Sequence, residues 1–337
     1  MSAANDQSID TNITTLSTFI LNSQKELGTT KNATGDLTLL LNSLQFAFKF
    51  ISHTINKSEL INLIGVNNTI NSTGDVQKKL DVLGDEIFIN AMRNSGKVKV
   101  LVSEEQEDLI IFDEATGAKY CVCCDPIDGS SNIDAGVSVG TIVSVFKIRE
   151  NSDGTIHDVL RSGDDMVVAC YAMYGASTHL MITFGNGLNG FTLDTSLGEF
   201  ILTYKDMKLP ELRSIYSINE GNYSGWAPEI QNFIDDLKKT KQYNARYIGS
   251  MVADVHRTLL YGGLFSYPAD GKNKNGKLRL LYEAFPMALI VEQAGGKAVN
   301  DKGKRILDLT PKNIHDKSSI WLGSSGEVDK YLSYIKK

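Results

Sequence analysis

The chain has 337 residues, 42% of them hydrophobic and 22% charged, with a formal charge of −6. This balance suits a soluble globular protein, and the length predicts two domains sharing an interface. The absence of a basic run argues against a nucleic-acid partner, no apolar stretch is long enough to span a bilayer, and the polar start from Met1 to Asp10 shows no secretory signal, so a cytoplasmic location is expected.

Residues 1–14 read as disordered or loosely attached. Thr15 to Asn22 predicts a short helix. After the polar break Lys31 to Asp36, Leu37 to Ile55 carries apolar residues at helical intervals (Leu37, Leu40, Leu41, Leu44, Phe48, Ile51) and predicts a long helix. Residues 56–72 are polar and predict a mobile loop of functional length. A further helix follows, with an apolar stripe at Leu80, Leu83, Ile87 and Ala91 and with Asp81 off that stripe. Val98 to Val102 and Leu109 to Phe112 predict strands, with Ser103-Glu104-Glu105 at the end of the first.

The apolar run Tyr120-Cys121-Val122-Cys123-Cys124 predicts a buried strand that ends where Asp125-Pro126-Ile127-Asp128-Gly129-Ser130-Ser131 begins. Two carboxylates thus stand where the backbone turns, with two hydroxyls and their amides following at a helix start suited to an anion. Hard oxygen ligands beside a phosphate cradle are the chemistry of a metal-dependent phosphatase. The same residues also form ordinary turns, and the stretch alone leaves both readings open.

Val137 to Ile148, Val167 to Tyr174, Leu180 to Phe184, Phe191 to Leu193 and Phe200 to Thr203 predict an antiparallel sheet closing the first half. The boundary falls near residues 204–210, which divides the chain into 1–206 and 207–337. The second half alternates: strand at Ile215 to Ile218, helix from Pro228 to Thr240, helix from Met251 to Tyr261, strand at Leu264 to Tyr267, helix from Leu281 to Ala294, strand at Ile320 to Gly323 and helix from Glu327 to Lys336. Cys121, Cys123, Cys124 and Cys170 read as buried reduced thiols, because no second pair completes a zinc site. The five histidines lack ligand spacing and read as structural or surface residues.

Asp75, Asp81, Glu104, Glu105, Asp125, Asp128 and Glu283 fall at loops, element ends or off-stripe positions. Like charges about 4 Å apart repel by roughly 4 kcal/mol at an effective dielectric of 20, so their convergence would demand cations or protons. Spacing alone does not show convergence. The set Asp125 to Ser131, Ser103-Glu104-Glu105, Thr73-Gly74-Asp75 with Lys79-Leu80-Asp81, Asn219-Glu220-Gly221, Ala245 to Met251, and Asn275 to Arg279 with Tyr282-Glu283 resembles the class I fructose-1,6-bisphosphatases of eukaryotic type, in order from about Thr15 to Lys336.

The resemblance implies an α/β fold of α/β/α/β/α sugar-phosphatase layers. It also implies Mg²⁺-dependent hydrolysis of the 1-phosphate of fructose 1,6-bisphosphate. Two or three Mg²⁺ ions per subunit, with Mn²⁺ or Zn²⁺ as substitutes, would be bound by Glu104, Asp125, Asp128, Glu283 and the Ile127 carbonyl. Asp75 would serve a further metal site and pair with Arg279 when the loop closes. Asp81 and Glu105 would orient the attacking water and take its proton. Gly129, Ser130 and Ser131 would hold the 1-phosphate, and Asn219, Arg246, Tyr247, Tyr267 and Lys277 the sugar and 6-phosphate. Arg246 would reach a neighbouring subunit's site in a homotetramer.

The resemblance extends to an AMP-binding segment, Thr34-Gly35-Asp36-Leu37-Thr38, with Lys119, Tyr120 and Lys147 as further contacts. It implies AMP inhibition. Lys147 replaces an arginine there and loses its forked geometry, and Asp36 stands for a longer acid. Asn222 replaces a tyrosine of the substrate pocket, with Tyr223 one place later. Sedoheptulose 1,7-bisphosphate as substrate, and a non-catalytic sugar-phosphate sensor, remain as alternatives to be separated by assay.

Overall fold

The computed structural model describes residues 12–26, 35–57, 66–70 and 76–335. In chain order its elements are α1 (Leu16–Glu26), α2 (Asp36–Lys57), β1 (Val66–Ile70), β2 (Val76–Lys78), α3 (Lys79–Ser95), β3 (Val98–Ser103), β4 (Ile110–Ile111), β5 (Tyr120–Asp128), β6 (Val139–Lys147), β7 (Met166–Tyr174), β8 (Thr178–Thr183), β9 (Leu188–Asp194) and β10 (Glu199–Tyr204). They continue with β11 (Ile215–Ser217), α4 (Pro228–Lys239), β12 (Asn244–Ala245), α5 (Met251–Tyr261), β13 (Leu264–Tyr267), β14 (Leu278–Arg279), α6 (Phe285–Gln293), β15 (Lys297–Val299), β16 (Lys317–Ser318), β17 (Ile320–Gly323) and α7 (Ser325–Ile335).

Two sheets organise the molecule. The eight-stranded one runs β10-β9-β8-β7-β6-β5-β3-β4, antiparallel except for the parallel pair β3 and β5. The five-stranded one runs β12-β11-β13-β17-β15. Side chains of β5 alternate between faces, as the period of two requires. Cys121 and Cys123 join the core that also contains residues of α5 and α6, whereas Val122 and Cys124 join the core beneath α2 and α3. A third core lies between the smaller sheet and the outer helices α4 and α7, built around Phe233, Trp321 and Tyr331. The expected five layers follow: α1–α3, large sheet, α5 with α6, small sheet, α4 with α7.

Several expectations need correction. Residue 14 is not loose: the Thr14 carbonyl accepts from Leu202 N at 2.9 Å, at the sheet's outer edge. The expected loop 56–72 holds a strand at Val66–Ile70, paired antiparallel with β2, since a backbone ladder does not require apolar side chains. Asn56 and Lys57, expected in the loop, end α2 instead, while residues 58–65 and 71–72 of that loop, residues 1–11 and most of the polar break after α1 lie outside the described residues.

Asp81 is not off the buried stripe of α3. It is 4% exposed and shares the inner face with Leu80, Gly84 and Phe88. Gly84 explains the close approach there, because a Cβ on it would stand 2.8 Å from Ile127 Cδ1. The N-terminal half of α3 therefore lies directly on the end of β5.

Strand β5 does not stop at Cys124. Pairing with β6 continues as Asp125↔Ile142 and Asp128↔Gly140, with a register shift between them that accommodates Pro126 and Ile127. All four cysteines are buried and free, as expected. Burial pushes the Cys121 and Cys170 thiols up to about 12. The helix expected over 281–294 is present, but its first turn, Leu280–Ala284, is a wide π turn that runs directly into α6.

Candidate active site

The ends of β3 and β5, the first turn of α3, the start of α5 and the wide turn before α6 converge on one cavity of about 420 Å³. Its walls carry Asp81, Glu104, Glu105, Asp125, Ile127, Asp128, Gly129, Ser130, Ser131, Tyr247, Tyr267, Lys277, Arg279 and Glu283. These are all candidates of the sequence; Gly249, Met251, Asp254, Phe265 and Leu278, which also line the cavity, are not. Asp75 and Thr34 lie outside the described residues. Asn219 and Arg246 do not line the cavity: the Asn219 side chain accepts from Gly221 N at 3.1 Å, and Arg246 is exposed. Tyr223, one place after Asn222, donates its hydroxyl to Asp235 of α4 at 2.8 Å.

One oxygen each of Asp125, Asp128 and Glu283 lie within 4.8 Å of one another, all buried. The environment resists three negative charges. Burial first, then Glu104, Asp128 and Glu283, holds the Asp125 carboxyl well above the ordinary carboxylate range. Burial raises Asp128 to about 7, against the lowering pull of the Val252 amide, which donates to its Oδ2 at 2.8 Å. Burial likewise raises Glu283 to about 8, with Arg279 opposing. Arg279 is the cluster's internal counter-charge: its guanidinium lies 2.7 Å from Glu104 and 3.8 Å from Glu283, and its own amide donates to Glu283 Oε2 at 2.5 Å. The partner expected for Arg279, Asp75, is outside the described residues. A set of buried carboxylates that favour protons in the absence of other cations fits a hard divalent ion such as Mg²⁺.

Local backbone explains the cradle. Gly129 has φ +78, and a Cβ there would meet Ser250 Oγ at 2.8 Å, so both conformation and space select glycine. The chain then winds into a short 3₁₀ turn, Ser130–Ala135, whose first two residues, Ser130 and Ser131, line the cavity.

In the segment read for AMP, Gly35 (φ +76) precedes α2. Asp36 is buried and bridges two lysines, Lys97 at 2.8 Å and Lys119 at 2.7 Å. Tyr120, whose hydroxyl is raised by burial and then by Asp36, pairs across the sheet with exposed Lys147. The fold thus gathers Gly35, Asp36, Lys119, Tyr120 and Lys147 at one end of the large sheet, and Leu37 and Thr38 lie in the first turn of α2.

Residues 14–205 match the family profile "Fructose-1-6-bisphosphatase, N-terminal domain", and residues 209–336 match "Fructose-1-6-bisphosphatase, C-terminal domain". The chain belongs to the fructose-1,6-bisphosphatase family. It is 70% identical to the fructose-1,6-bisphosphatase of Kluyveromyces lactis over 98% of this chain and 97% of that protein. It is 66% identical to that of Saccharomyces cerevisiae over 98% and 96%. The crystal structure of the Leishmania major fructose-1,6-bisphosphatase in holo form superposes with a TM-score of 0.91 at 45% identity, covering 96% of this chain and 99% of that one.

Nothing in the sequence pattern singles out two further carboxylates that the structure buries beside the site. Asp85, one turn after Asp81, accepts from Ser103 Oγ at 2.6 Å and from Gln106 Nε2 at 2.5 Å, and so clasps both ends of the Glu104–Glu105 turn. Burial raises its carboxyl above the ordinary value. Asp254 of α5 lines the cavity without solvent exposure. The available signal was a carboxylate inside a mostly apolar helix, which must find donors to be buried.

Proposed function

We propose that this chain hydrolyses the 1-phosphate of fructose 1,6-bisphosphate to fructose 6-phosphate and phosphate, using Mg²⁺, and that AMP inhibits it allosterically. As a member of its family the chain is a phosphoric monoester hydrolase. The observation that carries the proposal is the union, in one cavity, of the Asp125–Asp128–Glu283 cluster with the Gly129–Ser131 cradle and Lys277.

Glu104, Asp125, Asp128, Glu283 and the Ile127 carbonyl would hold two or three ions, with Asp75 serving a further site. When bound, Mg²⁺ supplies Lewis-acid stabilisation of phosphoryl oxygens and a water of lowered pKa. Asp81 and Glu105 orient the attacking water, and a carboxylate oxygen of Glu105 takes its proton. Gly129, Ser130 and Ser131 bind the 1-phosphate. Lys277, Tyr247 and Tyr267, which line the cavity, bind the sugar and 6-phosphate, where cationic and hydroxyl donors match phosphate oxygens, and Asn219 would have to turn in from outside the cavity wall to join them. Asp75 pairs with Arg279 on loop closure.

We extend the proposal to a homotetramer in which Arg246 serves a neighbouring subunit. Its exposure away from its own cavity supports that, as does the exposed apolar face of Leu39, Phe46 and Phe50 on α2. The AMP site comprises Thr34 to Thr38, Lys119, Tyr120 and Lys147. The division at 206/207 places that site and most metal ligands in the first domain and the sugar-phosphate residues in the second. A cytoplasmic location agrees with relatives in rice named cytosolic, and no helix among the described residues is long and apolar enough to cross a membrane.

The test is phosphate release from fructose 1,6-bisphosphate with and without Mg²⁺, beside a Glu105→Gln variant, followed by an AMP titration. Metal-dependent release lost by about a hundredfold or more in the variant is expected. No release with any divalent cation would favour a sensor. Unchanged release in Glu105→Gln would remove that residue as the base, and no inhibition at millimolar AMP would remove the regulatory part.

A further inference from the structure

The segment from Arg246 to Gly249 joins β12 to α5 along the mouth of the cavity. It is poorly covered: Arg246 is exposed, and Tyr247 and Ile248 are 39% and 42% exposed. Such a segment needs something beneath it to hold a fixed shape. At its start, Arg246 N donates to the Tyr216 carbonyl at 2.8 Å. At its end, the Gly249 carbonyl accepts from Asn132 Nδ2 at 3.1 Å. Between these points the backbone amides converge on one carboxylate. Ile248 N donates to Asp254 Oδ1 at 3.0 Å and to Oδ2 at 3.2 Å, and Gly249 N donates to Oδ2 at 2.9 Å.

Asp254 is fully buried, and its other contacts are donors too. Ser217 Oγ, at the end of β11 and two residues before Asn219, donates to Oδ1 at 2.8 Å, and Arg257 Nη1 donates to the same atom at 2.9 Å. One carboxylate therefore ties together the end of β11, the segment carrying Arg246 and Tyr247, and the first turn of α5. The same turn of α5 donates Val252 N to Asp128 of the carboxylate cluster.

We propose that Asp254 is a positioning residue for the distal-phosphate half of the substrate site: it sets the backbone from which Tyr247 and Arg246 project and aligns it with the cluster. This rests on the proposed bisphosphate reading. It goes beyond it in assigning binding of the 6-phosphate end to a carboxylate that would itself repel a phosphate and so acts only through the amides it holds.

The substitution Asp254→Asn keeps the shape and inverts the chemistry. An amide nitrogen at either oxygen position faces at least two N–H donors: Ile248 and Gly249 on one side, Ile248 and Arg257 on the other. Neither orientation restores the bonds. The expected result in Asp254→Asn is a rise in KM for fructose 1,6-bisphosphate of about tenfold or more, with kcat within about threefold. In calorimetry with Mg²⁺ present, affinity for fructose 6-phosphate should fall by a similar factor, while affinity for inorganic phosphate alone stays within about twofold.

Parallel loss for both probes, or no loss for either, overturns the proposal, since a merely structural role would not distinguish them. If Asp254→Asn does not fold, Ser217→Ala removes one of the same contacts and leaves the backbone bonds. It should shift the ratio of the two affinities in the same direction by about twofold to fivefold, and an unchanged ratio overturns the proposal. Wild-type protein that releases no phosphate from the bisphosphate, yet binds fructose 6-phosphate, would sink the hydrolase reading while leaving this binding test in force.

Discussion

Removing divalent cations should make this protein's stability fall as pH rises, and the cluster gives the size of the effect. The three carboxylate oxygens of Asp125, Asp128 and Glu283 lie within 4.8 Å of one another. At an effective dielectric of 20 each ionised pair at that distance costs about 3.5 kcal/mol. Three such pairs approach the whole stability of an ordinary domain, about 5–15 kcal/mol. Arg279 offsets part of this, and bound protons must offset the rest. Hence Asp128 is raised to about 7, Glu283 to about 8, and Asp125 well above its ordinary value.

In the unfolded chain all three are ionised above about pH 5.5. The folded metal-free protein then binds protons that the unfolded chain does not, so this stabilisation is present at low pH and is lost as pH rises through the folded values. Buried histidines act in the opposite sense, because burial lowers His256 to about 4 and also lowers His179 and His315. Their effect is confined to pH below about 7, where the unfolded imidazole charges.

Between about pH 7 and 8.5 Asp128 has largely released its proton, Glu283 accounts for about 1 kcal/mol, and a proton that Asp125 keeps throughout adds about 2 kcal/mol, since one pKa unit corresponds to about 1.4 kcal/mol. At roughly 2 °C or more per kcal/mol, Tm should fall by about 5 °C in EDTA over that range. Saturating Mg²⁺ should abolish or reverse the fall by replacing the protons. Thermal unfolding followed by fluorescence at four pH values, with EDTA or Mg²⁺, reads this directly. A metal-free Tm that is flat or rising across the window, or a slope indifferent to Mg²⁺, would refute the reasoning.

Two further outcomes follow from burial. Asp85→Ala should strand the Ser103 hydroxyl and the Gln106 amide, at about 1–3 kcal/mol for each unsatisfied group. It should lower kcat by about tenfold through loosening of the Glu104–Glu105 turn, whereas Asp85→Asn, which can accept from Gln106 and donate to Ser103, should stay within about threefold. Steady-state kinetics on both variants decides, and equal losses would disconnect Asp85 from the turn. Because all four thiols are buried and those of Cys121 and Cys170 are pushed up to about 12, the native protein should show no thiol reactive toward a disulfide reagent at pH 8 and all four after denaturation. One fast-reacting thiol in native buffer would contradict that.

Which parts of the site were legible in the sequence follows from how far apart the parts stand. Asp125, Asp128, Gly129 and the two serines are adjacent, and turn chemistry exposes them. The convergence of Glu283 and Asp81 on them depends on α3 and the turn before α6 both packing on the end of β5, a tertiary fact to which local periodicity is blind. Asp81 shows the cost: it is buried on the same face as Leu80, Gly84 and Phe88, yet an apolar stripe has no place for a carboxylate. Asp85 and Asp254 were missed for the same reason, since buried acids that work through hydrogen bonds have no apolar signature. Arg246 and Asn219 stand outside the cavity, Arg246 on an exposed segment and Asn219 with its side chain accepting from the Gly221 amide, placements that local spacing does not reveal.

The turn before α6 is the opposite case, where the signal was present and went unread. A continuous helix from Leu281 would place Pro286 in its interior, where the ring meets the carbonyl four residues back, that of Tyr282, and the missing N–H breaks one bond. The structure relieves both with one wider turn over Leu280–Ala284, so that α6 begins at Phe285 with the proline in its first turn. The widening swings Glu283 to where its carboxylate accepts the Arg279 amide and faces Asp125 and Asp128. A regular helix would carry the carboxylate on by about 100° per residue and give it no reason to meet that amide. A proline three residues after a glutamate is thus a local cue that the helix turn before it departs from regular geometry, here the turn that carries Glu283.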